Sequence, residues 1–480
     1  MIPGKLRILT DEQVAQLHQD ALEILQRVGV AFREEQMLRQ LAEAGAQVDW
    51  QKQIARFSPA LVEQLLSTVP HQLLYAARNP RYDLTIAPDQ VHTRPIAGCN
   101  YILDPLTGER REATARDAVE AAMLTDALEH VHFNAAAIYP ADEPPHSRAV
   151  YYVRLLLENT EKHICFSPYG AADVAYIAEM ASLVAGGRAE LARRPLLSMV
   201  SAPTSPLQYA GHQVGMFRVA AEAGIPAMLG TTPLVGGTCP VTLAGALVVA
   251  HAEALAGAIM AQVVRPGAPV YYAIRPNTMN MRTGAALWGS VEMYIISAAG
   301  VQMADYVGIP SDCMGTGTDS KTTDEQAGYE KALGTIMTAL AGTQIMVGAG
   351  YLETINTFSL PQLVIDDEIY ALMYRTLRGI EVTPETRALD VIASVGPGGW
   401  FLGEEHTRDF YQREHCLPLV SDRNVFETWA EQGRHTVVER AWARAQQLLR
   451  SHHPAPLPEG LDRELDRVMA AAREELKGEH

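Results

Sequence analysis

The sequence has few cysteines, no surplus of positive charge and no long apolar run. Its 480 residues include five cysteines, Cys99, Cys165, Cys239, Cys313 and Cys416, and none of them form a C-x-x-C pair. An odd number of such cysteines is typical of a reduced, cytoplasmic protein. The formal net charge of −17 argues against nucleic acid or an anionic membrane as a partner. No apolar run reaches the ~18 residues of a membrane span, and the N-terminus shows no apolar segment of a secretion signal.

Several familiar site motifs are also missing. The run "GTGTDSK" does not have the G-x-x-x-x-G-K-[ST] spacing of a phosphate loop, and "VGAGYLE" is not a G-x-G-x-x-G fingerprint. The sequence contains neither an H-E-x-x-H motif nor a G-x-S-x-G nucleophile elbow. A zinc site assembled from Cys99, Cys313 and His163 is conceivable, although small buried cysteines are the simpler interpretation. No cofactor is therefore predicted from a local motif.

A regular alternation of short apolar runs and helices begins near residue 91. The predicted strands are "HTRPIAG", "VHFNAAAIY", "HICFSPY", "LLSMVSAP", "PAMLGTTP", "PVYYAIRP", "PSDCMGTG" and "QIMVGAG". They follow one another at intervals of roughly 30–43 residues, the size of one strand with a crossover helix. Eight such units predict an α/β fold, a (β/α)8 TIM barrel, and an open doubly wound sheet is the main alternative.

The sequence outside this alternation suggests two further parts. Residues 1–90 are predicted to form a mixed helical and strand extension, in which Thr10 and Ser58 each begin a helix. Residues 91–384 would be the barrel with its catalytic pocket, and residues 385–480 a mainly helical segment. The most apolar run, "AGALVVAHAEALAGAIMAQVV", is interrupted by His251 and Glu253 and is predicted to be a buried helix.

Active sites of such barrels lie at the carboxyl ends of the strands, which gives a short list of pocket residues. Four tyrosines, Tyr101, Tyr139, Tyr169 and Tyr351, follow predicted strands and could form an aromatic box for a quaternary ammonium ion. Tyrosines also plug barrel mouths with the hydroxyl in water, so this alternative stays open. Arg275 follows the sixth strand, where it would bind a carboxylate or form a salt bridge with a loop acid.

Long motifs resemble one known family. They are "SAPTSPLQ", "GTTPLVGGTCPVTLAGALVVAHAEALAGAIMAQ", "TDSKTTDEQAGYEKALGTIMTALAGTQIMVGAGYLE" and "VGPGGWFLGEEHTRDF". Together they resemble the trimethylamine methyltransferase family, whose members move a methyl group from a methylated amine to the cobalt of a partner corrinoid protein. The named trimethylamine enzymes carry pyrrolysine in the loop after the seventh strand, and that position corresponds to Gly317. The chain thus resembles the non-pyrrolysine branch with its glycine betaine methyltransferases.

The resemblance implies a substrate, partners and site residues. Pyrrolysine is thought to capture the lone pair of a tertiary amine, which a quaternary amine such as glycine betaine, proline betaine or carnitine does not have. The resemblance implies catalytic roles for Asp319, Lys321 and Gln326, and it places Gly317 in the substrate pocket. His406 follows a glycine turn and could close over the barrel mouth. The chain lacks a D-x-H-x-x-G cobalamin motif, so the corrinoid would come from a partner protein, and a homo-oligomer is expected.

Other functions remain compatible with the sequence. A zinc-dependent methyltransferase on the same fold would act on a thiol or an alcohol. A non-catalytic quaternary-amine binder would keep the pocket without methyl transfer. A barrel enzyme of unrelated chemistry is a further alternative, because a fold does not dictate a function.

Overall fold

The computed structural model describes residues 5–478. Its N-terminal part contains α1 (Asp11–Arg27), β1 (Val30–Phe32), α2 (Glu35–Glu43), β2 (Gln47–Asp49), β3 (Ile54–Arg56), α3 (Pro59–Leu66), β4 (Leu73–Tyr75), a 3₁₀ turn (Pro80–Tyr82) and β5 (Leu84–Ile86). The Thr10 side chain accepts from the Gln13 N–H at the start of α1, and the Ser58 side chain accepts from the Leu61 N–H at the start of α3. Both predicted helix caps are confirmed.

Strands and helices alternate through the middle of the chain. In order they are β6 (His92–Pro95), β7 (Tyr101–Leu103), β8 (Arg110–Glu112), α4 (Ala115–Ala127), β9 (Asn134–Ala135), α5 (Arg148–Asn159), β10 (Ile164–Phe166), α6 (Ala171–Ala185), α7 (Arg188–Arg193), β11 (Leu197–Met199), β12 (Gln208–Tyr209), α8 (Gly211–Ala223), β13 (Ala227–Thr231), β14 (Leu234–Val235), α9 (Leu243–Val264), β15 (Val270–Ile274), β16 (Asn277–Met279), β17 (Ala286–Leu287), α10 (Val291–Val307), β18 (Asp312–Met314), α11 (Glu325–Ala341), β19 (Ile345–Ala349), β20 (Tyr351–Leu352), β21 (Thr357–Phe358) and α12 (Leu360–Arg378). The fold is therefore a mixed α/β fold.

Eight of these strands lie side by side in the order in which they follow one another along the chain, and we call them the ring strands. Parallel pairing joins β9, β10, β11, β13 and β15 in one run and β18, β19 and β6 in another. A parallel bridge between Tyr272 and Ser311 links the two runs on one side, and a bridge between Cys99 and Ile138 links them on the other. Each predicted strand contains one ring strand, so the sequence located all eight.

One helix of the ring was missed. The eight units of strand and helix are predicted from the spacing of the strands, and no residue pattern identified a helix between the second and third ring strands, where α5 lies. The prolines Pro144 and Pro145 precede it, and Tyr151, Tyr152 and Val153 are residue types that favour strands. Burial of one face of α5 in the core outweighs that preference, because tertiary packing overrides local propensity.

The most apolar helix, α9, is a core helix. By length and composition it could span a membrane, yet 72% of its most apolar 18-residue stretch is buried inside the protein. His251 and Glu253 lie on it and are fully buried. Tyr272 and His18 contact the His251 ring through hydrogen bonds, and Glu253 accepts from the Leu207 N–H at 2.8 Å. The predicted buried helix is confirmed.

Loops that follow the ring strands form two small sheets. One contains β20, β21, β7 and β8, and the other contains β14, β16 and β17. These strands come after the first, fifth, sixth and eighth ring strands, at the end where each ring strand finishes. The two sheets thus build the rim at the carboxyl ends of the ring.

The C-terminal part is helical. It contains α13 (Pro384–Arg387), α14 (Leu389–Val395), α15 (Glu405–Glu414), α16 (Phe426–Glu431), α17 (Val437–Ser451) and α18 (Leu461–Glu475). The last two helices bury apolar faces, α17 against α12 and α4, and α18 against α6 and α5. The first four have no buried residue.

Candidate active site

The loop after the seventh ring strand is held by a carboxylate from its own helix. Glu330 on α11 accepts hydrogen bonds from the Thr318 hydroxyl at 2.6 Å, the Asp319 N–H at 2.9 Å and the Gln326 amide at 2.9 Å. Gln326 therefore reaches the loop through Glu330 rather than directly. Sequence reasoning singles out Asp319, Lys321 and Gln326 in this motif and not Glu330, so the role of Glu330 in fixing this loop was missed.

Asp319 joins three loops of the rim. Its carboxylate accepts from the Trp288 N–H at 2.7 Å and the Gly289 N–H at 3.0 Å, both in the loop after the sixth ring strand. The Thr354 hydroxyl, in the loop after the eighth, donates to it at 2.9 Å. Lys321 is exposed, and its ammonium group donates to the Asp319 carbonyl at 2.7 Å. Asp319 is thus placed to fix the relative positions of these loops.

Gly317 stands where a side chain would not fit. A Cβ atom on this residue would approach the Trp288 carbonyl oxygen far closer than 3.0 Å and the Tyr351 hydroxyl to 3.0 Å. The Tyr294 hydroxyl donates to the Gly317 carbonyl at 2.7 Å, and the Thr318 N–H donates to the Tyr351 hydroxyl at 3.2 Å. The structure therefore brings together Gly317, Tyr351 and the Asp319 loop.

A buried ion pair lies beneath this loop. The Lys331 ammonium donates to Asp366 at 2.9 Å and to the carbonyls of Thr316 and Gly348 at 3.2 and 3.0 Å. It also lies 4.8 Å from the centre of the Tyr351 ring. Lys331 and Asp366 are fully buried. The pair ties the ends of the seventh and eighth ring strands to helices α11 and α12.

The loop after the eighth ring strand has an unusual backbone. Glu353, Thr354 and Ile355 are consecutive non-glycine residues with φ values of 54°, 56° and 71°. Their left-handed turn directs two N–H groups to the seventh-strand loop, from Glu353 to the Ser320 carbonyl at 2.6 Å and from Thr354 to the Thr318 carbonyl at 3.3 Å. Strained backbone of this kind is found mostly at functional sites.

The four tyrosines do not share one environment. Tyr139 and Tyr169 are in contact, with ring centres 5.6 Å apart, and the Tyr139 hydroxyl donates to the Ser167 carbonyl at 2.7 Å. Tyr139 is 6% exposed and Tyr169 is 42% exposed, so this pair runs from the interior to the surface. For Tyr101, the Arg110 guanidinium lies over the ring, 4.3 Å from its centre. For Tyr351, the Lys331 ammonium lies over the ring in the same way. Two of the four rings thus already face a cation of the protein itself.

Arg275 is buried among charged residues of the ring. Its guanidinium pairs with Asp312 on the seventh ring strand, and Arg94 on the first pairs with the same carboxylate at 3.2 Å. Burial, followed by the nearby Arg94 charge, lowers the pKa of Arg275 to about 10. The partner of Arg275 is therefore a strand residue and not the loop acid considered above.

His406 lies in the C-terminal part. Its ring nitrogen Nε2 is 3.3 Å from the Glu385 carbonyl, and its ring stacks on Phe410 with centres 4.4 Å apart. Both of these contacts, within the described residues 5–478, are with the C-terminal segment, and neither is with a ring strand.

The three residues considered for zinc have other partners. The Cys313 thiol donates to the Ser297 carbonyl at 3.4 Å, and His163 Nδ1 lies 2.9 Å from the Ala76 carbonyl. Burial raises the pKa of the Cys313 thiol to about 11 and also raises that of Cys99, which disfavours the thiolate that zinc binds. Within residues 5–478 no group of three or more His, Cys, Asp or Glu side chains could hold a metal ion. The zinc alternative lacks a ligand set in this part of the chain.

Sequence reasoning also missed Arg94, Asp312 and Trp288. A signal was available for the first two, since a charged residue inside a buried apolar strand is uncommon and calls for a partner. Trp288 acts through its backbone, and no property of its side chain points to that role. The site therefore includes residues whose importance is visible only from the contacts.

Comparison with known proteins gives a consistent picture. The family described as "Trimethylamine methyltransferase (MTTB)" matches residues 2–477. The chain is 33% identical over 466 residues to a trimethylamine methyltransferase of Desulfitobacterium hafniense, covering 97% of this chain and 94% of the relative. It is 32% identical over 474 residues to a glycine betaine methyltransferase of another strain of that organism, covering 98% of both chains.

Solved structures support the fold alone. The monomethylamine methyltransferase of Methanosarcina barkeri aligns with a TM-score of 0.50 over 99% of this chain and 95% of that chain. The two sequences are 13% identical in that alignment. At this identity the similarity indicates a shared architecture and says nothing about the substrate.

Proposed function

The chain is a methyltransferase that belongs to the trimethylamine methyltransferase (MTTB) family, and we propose that it moves a methyl group from a quaternary amine to the Co(I) of a separate corrinoid protein. Glycine betaine, proline betaine and carnitine are the substrates with the expected chemistry. The relatives above include both a trimethylamine and a glycine betaine enzyme, so family membership alone leaves the amine open. The choice depends on the loop after the seventh ring strand.

Gly317 is the observation that carries the proposal. It occupies the position at which the resemblance puts pyrrolysine in trimethylamine enzymes. The Trp288 carbonyl and the Tyr351 hydroxyl fill the space that a side chain would need there. The loop is therefore built around glycine, and residue 317 carries no electrophilic group that could bond to the lone pair of a tertiary amine. A quaternary ammonium needs no such capture, because its nitrogen is already positive and leaves as a neutral tertiary amine.

The chemistry then requires positioning more than proton transfer. The Co(I) of the partner donates an electron pair to a methyl carbon, the C–N bond breaks, and its electrons stay on nitrogen. The products are methyl-Co(III) and the demethylated amine. The protein contributes by orienting one methyl group toward the partner and by excluding water. The Asp319 contacts to Trp288 and Thr354 would hold the loops for this task, and the pair of Tyr139 and Tyr169 offers ring faces for the ammonium group.

We further propose that the fold is a (β/α)8 TIM barrel. The closed order of the ring strands supports it, as does the similarity to the monomethylamine methyltransferase structure. The division into an extension (1–90), a catalytic barrel (91–384) and a helical segment (385–480) follows from the same description. A cytoplasmic protein agrees with this function, since the corrinoid partner must be reached in its reduced state.

The C-terminal part supports self-association. Large apolar side chains are exposed just before this part, at Ile380 and Val382, and within it, at Leu389, Ile392, Trp400, Phe401, Leu402, Tyr411, Leu417, Leu419, Val425 and Phe426. Such a concentration of exposed apolar residues is typical of an interaction surface. We propose a homo-oligomer that covers this segment. Light scattering should give a mass above one 52.4 kDa chain, reduced by Trp400→Ser, and a monomer at all concentrations would overturn the proposal.

Product analysis tests the proposed reaction. The purified protein, a corrinoid protein reduced to Co(I) and one quaternary amine are mixed, and both the cobalt spectrum and the amine are followed. We expect methyl-Co(III) and dimethylglycine in equal amounts when glycine betaine is the donor. Absence of methyl-Co(III) with every member of a panel of quaternary amines would contradict the proposal. Tight amine binding without any methyl transfer would instead favour the binding-protein alternative.

A further inference from the structure

Two buried arginines share one carboxylate inside the ring. Arg94 lies on the first ring strand and is 1% exposed, and Arg275 directly follows the sixth and is 4% exposed. Asp312 on the seventh ring strand pairs with both of them, through Oδ2 to Arg94 and through Oδ1 to Arg275. In residues 5–478 Asp312 is the one carboxylate that forms an ion pair with either guanidinium.

The charges of this group do not balance. Two guanidinium groups and one carboxylate leave a net charge of +1 in a site with almost no contact with water. An uncompensated buried charge is costly, and buried charges in proteins are normally paired. The lowered pKa of Arg275 has the same physical origin, because burial and the neighbouring Arg94 both disfavour its charged form. An anion that enters the site would remove the imbalance.

Unused hydrogen-bonding groups lie at the same place. The Arg275 Nε atom and the Asn277 Oδ1 atom are buried and have no hydrogen-bond partner in the structure. Both residues are at the carboxyl end of the sixth ring strand, next to the strand that leads into Gly317. A guanidinium with an unpaired N–H suits a carboxylate, which accepts charge-assisted hydrogen bonds. The free acceptor of Asn277 adds a partner for a water molecule that bridges to the ligand carboxylate.

We propose that Arg275, with Arg94 and Asp312 behind it, binds the carboxylate of a zwitterionic substrate that carries a single carboxylate. This inference rests on the proposed function and narrows it, since it selects betaines over choline-like amines with no acid group. One substrate carboxylate neutralises the net charge of the group, whereas a dicarboxylate would reverse it. Asp312 is a positioning residue in this scheme, because it orients both guanidinium groups without touching the substrate.

Binding to the wild-type protein gives the first test, without a corrinoid partner. Glycine betaine and its methyl ester carry the same ammonium group, but the ester has no negative charge. Calorimetry should show at least about tenfold weaker binding of the ester and of choline, which is about 1.4 kcal/mol and the low end for a hydrogen bond to a charged group. Equal affinities for glycine betaine and its ester would overturn the inference. Binding of acetate as tight as that of glycine betaine would also overturn it, because it indicates a general anion site.

Variants give the second test. Arg275→Gln should weaken glycine betaine binding by about ten- to a hundredfold and leave choline binding nearly unchanged, while Arg275→Lys should recover part of the loss. Arg408→Gln removes an exposed arginine and should change neither affinity. Equal losses for glycine betaine and choline in Arg275→Gln would assign Arg275 a structural role and contradict the inference. If the wild-type protein transfers methyl groups from choline as fast as from glycine betaine, the carboxylate site is overturned while the proposed function stands.

Discussion

The carbonyl oxygen of Trp288 occupies the space beside Gly317 in which any side chain on residue 317 would have to begin. The contact joins the loops after the sixth and seventh ring strands. Asp319 strengthens the same junction, because its carboxylate accepts from the N–H groups of Trp288 and Gly289. The requirement for glycine at residue 317 thus comes from the packing of both loops against each other.

Gly317→Ala should destabilise the protein and abolish its activity. The new methyl group would overlap the Trp288 carbonyl, and overpacking of this kind typically costs about 1–3 kcal/mol. Gly328→Ala is the matched control, since Gly328 lies in α11 with nothing within 4 Å of its Cβ position and alanine favours helices. Urea unfolding should give a lower midpoint for the first variant and an equal or higher midpoint for the second. A midpoint for Gly317→Ala that matches the wild type would show that the loops separate freely.

Replacement of Asp319 should lower kcat far more than replacement of Lys321, although the family motif contains both residues. Asp319→Ala leaves two loop N–H groups and the Thr354 hydroxyl without their acceptor, and kcat should fall by at least about tenfold if the loops orient the substrate. Lys321→Ala removes an exposed ammonium group that donates only to a carbonyl, and kcat should stay within about twofold of the wild type. Steady-state methyl transfer measures both. A larger loss in Lys321→Ala than in Asp319→Ala would contradict this assignment of roles.

The buried pair of Lys331 and Asp366 should dominate the stability of the rim. Lys331→Met leaves an unpaired carboxylate with no exposure, and loss of one partner of a buried ion pair costs about 3–5 kcal/mol. Lys477→Met breaks the surface pair with Glu474 and should cost less than about 1 kcal/mol. The free energy of unfolding of each variant, measured against the wild type, gives the two costs. Equal values for the two variants would mean that the buried pair contributes no more than a surface pair.

Acid should weaken the contact between helices α1 and α9. His18 Nδ1 lies 2.9 Å from His251 Nε2, and burial lowers the pKa of both residues. In the unfolded chain these histidines have a pKa near 6.5 and bind protons below that pH, whereas in the folded protein they stay neutral. The stability of the folded protein therefore falls as the pH drops below that value. Between pH 7.5 and 5.5 the loss from one buried histidine that binds its proton only in the unfolded chain is on the order of 1 kcal/mol.

His251→Gln tests this pH dependence. Glutamine can keep hydrogen bonds with His18 and Tyr272 but does not titrate, so the loss of stability between pH 7.5 and 5.5 should be smaller by roughly 1 kcal/mol. His406→Gln is the control, because His406 is partly exposed in the C-terminal part. An unchanged pH dependence in His251→Gln would show that other groups cause the acid sensitivity.

The sequence predicts the positions of the ring strands because each is a short apolar run closed by glycine, proline or polar residues. It does not predict α5, whose aromatic and β-branched residues favour a strand until the core buries them. The motif around Gly317 and Asp319 is local and can be read directly. The pairing of Arg94 with Asp312 joins residues 218 positions apart, and Glu330 reaches back to a loop that precedes its helix. Such contacts form only when the strands lie side by side in the folded protein, and the spacing of residues along the sequence does not reveal them.

The choice between a quaternary and a tertiary amine is the central claim, and one measurement addresses it directly. The protein and a corrinoid protein held as Co(I) are mixed with glycine betaine or with trimethylamine at equal concentration, and the formation of methyl-Co(III) is followed by absorbance. With Gly317 closed off by Trp288, we expect methyl transfer from glycine betaine and none above background from trimethylamine. Faster transfer from trimethylamine than from glycine betaine would contradict the account.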